Sequence, residues 1–146
     1  MTARYIFTIV VIVVIFTEIL TAGSQAANHN DREKYDSIKR RLYNIIVASN
    51  QRDRSQVQNV SSQAEVLIEE IIPYANKYIE FTELLLYARQ ITANIYLHRL
   101  SMPLKAITHY KAILQHTYFR TTQPIIKWIV YEGLGLSYYT NRNDSE

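Results

Sequence analysis

The stretch YEGLGLSYYTNRN, from Tyr131 to Asn143, contains two of the three glycines in the chain. Glycine weakens a helix by about 1 kcal/mol relative to alanine, so two glycines in one helical segment indicate that another backbone passes close by. We therefore expect Gly133 and Gly135, and Gly135 above all, to lie where two helices pack together. The stretch favours helix packing over a catalytic role.

Helical spacing also extends through the chain before this stretch. Apolar residues recur three or four positions apart over residues 35–46, 57–72, 78–95, 104–114 and 125–138. Pro73 ends or kinks the second segment, whereas Ser101-Met102-Pro103 and Pro124 mark helix starts. No alternating strand pattern occurs between residues 27 and 146. The sequence therefore predicts an all-α fold, a bundle of about five helices arranged as antiparallel helical hairpins.

The N-terminal segment has the organisation of a secretory signal peptide. Arg4 precedes the apolar residues 5–20, and Ser24-Gln25-Ala26 carries small residues at both positions that a signal peptidase inspects. The unbroken apolar run is short for a membrane span, and Glu18 would be costly inside a bilayer. We expect residues 1–26 to be a signal peptide and the protein to be secreted. A retained signal anchor, giving a single-pass membrane protein of the secretory pathway, is the alternative.

Length and composition limit the rest of the chain. The 146 residues suffice for one small domain, which we divide into an N-terminal amphipathic helix and linker, 27–55, and a helical domain, 56–146. The net charge is +3, but basic and acidic residues are interspersed, so we expect no nucleic-acid partner. The chain has no cysteine, which excludes thiol chemistry and disulfides. Asn59 and Asn143 each begin an Asn-X-Ser triplet that could accept a glycan.

Motifs of known catalytic sites are absent from the sequence. It contains no G-x-S-x-G elbow, Gly-rich phosphate loop or H-E-x-x-H motif. His109 and His116 have no carboxylate at metal-ligand spacing beside them, so we interpret them as surface or half-buried residues. Glu65 and Glu69 lie one helical turn apart, and we expect them on a solvated face. We expect no enzymatic activity, no metal and no cofactor.

The C-terminal stretch resembles the first helix of a tetratricopeptide repeat. In that repeat an aromatic residue, a leucine, a glycine and a tyrosine occur at the offsets of Tyr131-x-x-Leu134-Gly135-x-x-Tyr138. An upstream copy of this helix is indicated by Ala93 and Tyr96. The pattern of the second helix of the repeat is matched in part by Ala106, Tyr110 and Ala112. The resemblance covers residues 87–143.

This resemblance departs from the family pattern in two ways. The offset between the copies is 135 − 93 = 42 residues, longer than the usual period of about 34. Arg89 and Thr92 stand where the pattern has an aromatic residue and a leucine. The excess length can lie in the loop HTYFRTTQ.

The resemblance implies a protein-binding surface, a groove for an extended peptide or a partner helix. It implies that the groove is lined by Gln90, Asn94, Leu97 and His98 in one copy and by Glu132, Leu136 and Tyr139 in the other. The last copy stops after one helix, so a homodimer, a foreign partner or the N-terminal helix could cover Leu136 and Tyr139. We expect a non-enzymatic secreted protein with a protein or peptide partner, and a membrane contact only if residues 1–26 are retained. The alternative is a small-ligand carrier or enzyme that uses the bundle interior.

Overall fold

The computed structural model describes residues 29–50 and 53–143, and this part of the chain is helical without any strand. Its five α-helices are α1 (His29–Ser49), α2 (Arg54–Ala75), α3 (Ile79–His98), α4 (Pro103–Gln115) and α5 (Pro124–Asn143), and a short 3-10 helix, Thr117–Thr121, precedes α5. The prediction of an all-α bundle of about five helices is confirmed. The expected signal peptide, residues 1–26, lies outside the described residues.

Local sequence explains where several of these helices begin and end. The carboxylate of Asp53 caps α2 by accepting hydrogen bonds of 2.8 Å from the N–H and from the hydroxyl of Ser55. This start falls just before the expected domain boundary at residue 56. Pro73 lies inside α2, which continues for two more residues to Ala75. Pro103 and Pro124 begin α4 and α5, where a missing N–H costs nothing.

The start of α4 has no serine cap, although Ser101 lies two residues before Pro103. Met102 occupies the capping position and makes no side-chain hydrogen bond to the helix. Ser101 instead adopts a left-handed backbone with φ of 55°. The connection between α3 and α4 is therefore set by a tight backbone turn, followed by proline.

The helices pack in chain order, each against the next, and α3 also contacts α1 and α5. This order places α1, α3 and α5 on one side and α2 and α4 on the other. One hydrophobic cluster extends from Tyr35 in α1 to Val130 in α5, so the core is continuous across the helices. Because α3 touches all the other described helices, it is the most enclosed of them, with buried residues around much of its circumference.

The two glycines of α5 have different environments. Gly133 is buried, and a Cβ there would overlap the hydroxyl and Cζ of Tyr110 in α4. Gly135 is exposed, and no other helix among the described residues has a heavy atom within 4 Å of the position of a Cβ there. The expectation that Gly135 lies at a crossing with another helix of the same chain is therefore wrong for the described helices, and Gly133 takes that place. Two steps along a helix rotate the side-chain direction by about 200°, so the two residues point to opposite faces.

Candidate functional site

The structure exposes a row of large apolar side chains on α5. The opposite side of this helix packs against α4 and α3 through the buried residues Ile129, Val130, Gly133 and Ser137. The exposed side, which we call the outer face of α5, comprises Trp128, Tyr131, Leu136, Tyr138 and Tyr139, together with Gly135. No helix follows α5 within the described residues, and those residues leave the large apolar side chains of this face about half exposed.

The exposure of the outer face is large for residues of this kind. Trp128 is 51% exposed, Tyr131 58% and Tyr139 66%. Single exposed apolar residues are common on protein surfaces, but a contiguous row of them marks an interaction site. Tryptophan and tyrosine are also the residues that most often dominate binding energy at protein interfaces. The outer face therefore has the composition of a binding surface.

Neighbouring residues hold two of these rings in place. The Tyr131 ring meets Phe119 edge to face, with ring centroids 6.1 Å apart. The Lys111 ammonium lies 5.7 Å from the centroid of the Tyr138 ring, in a cation–π contact. Side chains that are already ordered lose less entropy when they bind. The outer face is thus partly preorganised for contact.

The expected groove residues divide between surface and interior. Glu132, Leu136 and Tyr139 are all exposed on α5, at the spacing that places them on one side of a helix. In contrast, Gln90 and Leu97 of α3 are only 3% and 6% exposed, so neither side chain is presented at the surface. The structure therefore brings together the three expected residues of α5 but does not join them to an exposed set on α3.

The remaining two expected residues of α3 differ from each other. Asn94 is partly buried, and its Oδ1 accepts a hydrogen bond of 2.5 Å from the Tyr110 hydroxyl. Burial raises the pKa of Tyr110, and the negative charge of Glu132 raises it further, so this phenol stays protonated and donates. His98 is exposed at the end of α3. Asn94 therefore acts within the α3–α4 packing, next to Gly133.

The two candidate glycosylation triplets differ in what the structure describes. Asn59 is exposed on α2, but Ser61 of the same triplet is buried and donates a 2.8 Å hydrogen bond to the carbonyl of Gln58. The side chain of Asn143 lies outside the described part of the structure. In the folded chain, Asn59 is therefore accessible to solvent, whereas the serine of its triplet is buried and hydrogen bonded.

A polar cluster between α2, α3 and α4 was not predicted. Glu65 Oε1 accepts hydrogen bonds of 3.0 Å from the Tyr96 hydroxyl and from His109 Nε2. Since a carboxylate can only accept, Nε2 carries the proton. His109 stacks on the Tyr96 ring with centroids 5.7 Å apart, and the Lys105 ammonium lies 4.9 Å from that ring's centroid. The cluster links α2, α3 and α4 through hydrogen bonds and ring contacts at one point.

Both partners in this cluster depart from the sequence-based interpretation. His109 was expected at the surface or half-buried, but it is buried on the α4 face that packs inward. Glu65 was expected on a solvated face, but it is partly buried against His109. Glu65 and His109 are 44 positions apart, so only the helix packing reveals their contact. No spacing rule within a single helix could have found the pair.

The electrostatics of the cluster favour a neutral imidazole. Burial lowers the pKa of His109, and the attraction of the Glu65 carboxylate offsets this only in part. The Nδ1 atom of His109 is buried and has no hydrogen-bond partner within the described structure. Residues 29–50 and 53–143 contain no group of three or more His, Cys, Asp or Glu side chains that could hold a metal ion. The arrangement is that of a structural junction between helices.

None of the described helices is both long enough and apolar enough to cross a bilayer.

No family model, curated protein or solved structure matches this chain. The resemblance to the tetratricopeptide repeat therefore depends on the residues of the chain itself.

Proposed function

We propose that this protein is a non-enzymatic binding protein that docks another polypeptide on the outer face of α5. The observation that carries the proposal is the contiguous exposure of Trp128, Tyr131, Leu136 and Tyr139 on α5, whose opposite side packs against α3 and α4. Fully burying one such side chain contributes about 1.5–3 kcal/mol. Association itself costs roughly 4–15 kcal/mol, so several of these side chains must be buried together for stable binding.

The arrangement of the helices supports a surface like that of a tetratricopeptide repeat. Stacked helical hairpins place alternate helices on the same side, and α1, α3 and α5 alternate with α2 and α4 in this way. Burial of Gln90 and Leu97 restricts the proposed surface to its α5 part, which includes Glu132, Leu136 and Tyr139. The proposed docking surface is accordingly formed by one helix, on the outer face of α5.

The proposal includes secretion, on the basis of the N-terminal sequence. The protein recovered from the medium or the secretory lumen of expressing cells should begin at Ala27, because cleavage follows Ser24-Gln25-Ala26. N-terminal sequencing checks this. Full-length protein that stays in membranes and resists alkaline extraction would instead identify a signal anchor.

A double substitution tests the docking surface. Changing Leu136 and Tyr139 together to serine should abolish association while leaving helical content and thermal stability nearly intact, because both side chains are exposed. Val66→Ser is the matched control, since Val66 is an exposed apolar residue on α2. Circular dichroism measures the fold of each variant.

Photo-crosslinking measures the association when the partner is unknown. A photoreactive amino acid at Tyr139 should crosslink to a polypeptide in the native secretion, whereas the same group at Val66 should not. Equal crosslinking from both positions would contradict the proposal. So would a loss of several kcal/mol of stability in the Leu136→Ser, Tyr139→Ser variant, because that would mean that both side chains belong to the core.

A further inference from the structure

Residues of the outer face of α5, together with the neighbouring exposed Arg142, lie at matching distances on either side of Gly135. Tyr131 lies 135 − 131 = 4 residues before this glycine, and Tyr139 lies 139 − 135 = 4 residues after it. Trp128 lies 135 − 128 = 7 residues before it, and Arg142 lies 142 − 135 = 7 residues after it. Residues four and seven positions away share a helix face with the central residue. An aromatic ring thus flanks the glycine on each side, with Trp128 beyond one ring and Arg142 beyond the other.

Because glycine has no side chain, Gly135 leaves a depression at the centre of this face. It is exposed, and no other described helix has a heavy atom within 4 Å of the position of a Cβ there, so packing among the described residues gives no reason for a glycine. An exposed glycine weakens the helix that contains it. A second helix that crosses at this point could approach the backbone more closely than it could over any larger residue.

We infer that the outer face of α5 binds the same face of a second copy of this chain, with the two helices antiparallel and a two-fold axis at Gly135. The inference rests on the proposed function and names its partner. In an antiparallel two-fold contact centred on Gly135, each residue meets the residue at the mirrored offset in the other copy. Tyr131 therefore faces Tyr139 of the second copy, and Trp128 faces Arg142 of the second copy.

These pairings are chemically complementary. Two tyrosine rings can stack or meet edge to face, and a guanidinium over a tryptophan ring is a favourable cation–π contact. Glu132, three residues before Gly135, faces Tyr138 of the second copy, whose hydroxyl can donate a hydrogen bond to the carboxylate. The two charged residues, Glu132 and Arg142, are thus matched by a hydroxyl and an aromatic ring.

Charge selects the antiparallel orientation. In a parallel pair, Arg142 would lie beside Arg142 of the second copy and Glu132 beside Glu132, and such like-charge contacts are unfavourable. In the antiparallel pair the two Arg142 residues are separated by about 14 helical positions, roughly 21 Å along the axis. The repulsion between the two Arg142 residues is thereby removed, and the two Glu132 residues lie about 6 helical positions, roughly 9 Å, apart along the axis instead of side by side.

Disulfide trapping tests this geometry directly, because the chain has no cysteine of its own. A residue on a two-fold axis meets its own copy, and a disulfide needs Cα atoms about 4.4–6.8 Å apart. Under mild oxidation Gly135→Cys should give a covalent dimer at least ten times faster than the control Val66→Cys. Tyr131→Cys mixed with Tyr139→Cys should crosslink faster than either variant alone. Faster crosslinking of each variant with itself would indicate a parallel pair and overturn the inference.

Sedimentation of the purified protein over a range of concentrations provides the second measurement. We expect a reversible dimer, and Gly135→Leu should weaken it at least tenfold without lowering the melting temperature of dilute protein. A protein that stays monomeric at millimolar concentration would overturn self-association. If the photoreactive group at Tyr139 still captures a different polypeptide, the proposed function stands and only the identity of the partner is wrong. If it captures nothing and no dimer forms, both proposals fall.

Discussion

Gly133 and Gly135 show that glycines in a helical sequence can indicate a close helix contact without identifying which glycine makes it. The sequence indicated that a close helix contact lies in this stretch, and the buried contact of Gly133 with Tyr110 is such a contact. It did not identify the right glycine, because the two positions differ by about 200° around the helix. The decisive information is the position of the Tyr110 ring, which belongs to another helix.

This difference predicts opposite effects of the same substitution. Gly133→Ala should destabilise the protein by about 1–3 kcal/mol, because the new Cβ displaces a buried ring that is hydrogen bonded to Asn94. Gly135→Ala should stabilise dilute protein by up to about 1 kcal/mol, since alanine favours helix and the space is open. Urea unfolding of both variants measures the two values. Stabilisation by both changes would show that the Tyr110 ring is not confined.

At the scale of the elements, the apolar periodicity predicted the helices but not their depth in the bundle. The stripes of apolar residues correspond to α1 to α5, and the start of α5 follows from Pro124. Gln90 and Leu97 were expected in a groove because the resemblance places such positions at a surface. They are buried in α3, which contacts every other described helix. Which faces of a helix are buried depends on the helices that pack against it. The apolar periodicity of a single helix does not identify those neighbours.

The junction of α2, α3 and α4 at His109 predicts a pH dependence of stability. Burial lowers the pKa of His109 below its ordinary value of 6.5, whereas in the unfolded chain the imidazole titrates near that value. As the pH falls below about 6.5, the unfolded state takes up a proton that the folded state resists, so stability decreases. The decrease ends once the pH is below the folded pKa. Wild type should therefore lose stability between pH 7 and pH 5.

A comparison of variants isolates the contribution of this histidine. His109→Gln should reduce the loss of stability between pH 7 and pH 5, because glutamine does not titrate. Val66→Ser, a change at an exposed position on α2 that removes no titratable group, is the control and should leave the pH dependence unchanged. Urea unfolding at a series of pH values measures both. An unchanged slope in His109→Gln would mean that the buried imidazole does not control acid stability.

At the scale of the whole molecule, the order of helix contacts determines how the fold holds together. Each helix packs on the next along the chain, as in a repeat protein, where stability is a sum of local terms and the ends can unfold separately. Here α3 also contacts α1 and α5, and one hydrophobic cluster includes residues from every helix α1 to α5. These cross-contacts couple the ends of the described chain through its centre.

We therefore expect the protein to unfold as one cooperative unit. The chain has a single tryptophan, Trp128, and it lies on α5 at one end of the helix series, so its fluorescence reports on that end alone. Far-UV circular dichroism reports on all the helices. In a urea titration of dilute protein, the two signals should give the same midpoint and the same slope, the behaviour expected of two-state unfolding. If Trp128 changes at lower urea than the helical signal, α5 unfolds independently of α1 to α4. The contacts between α3 and α5 would then be too weak to make the core a single unit.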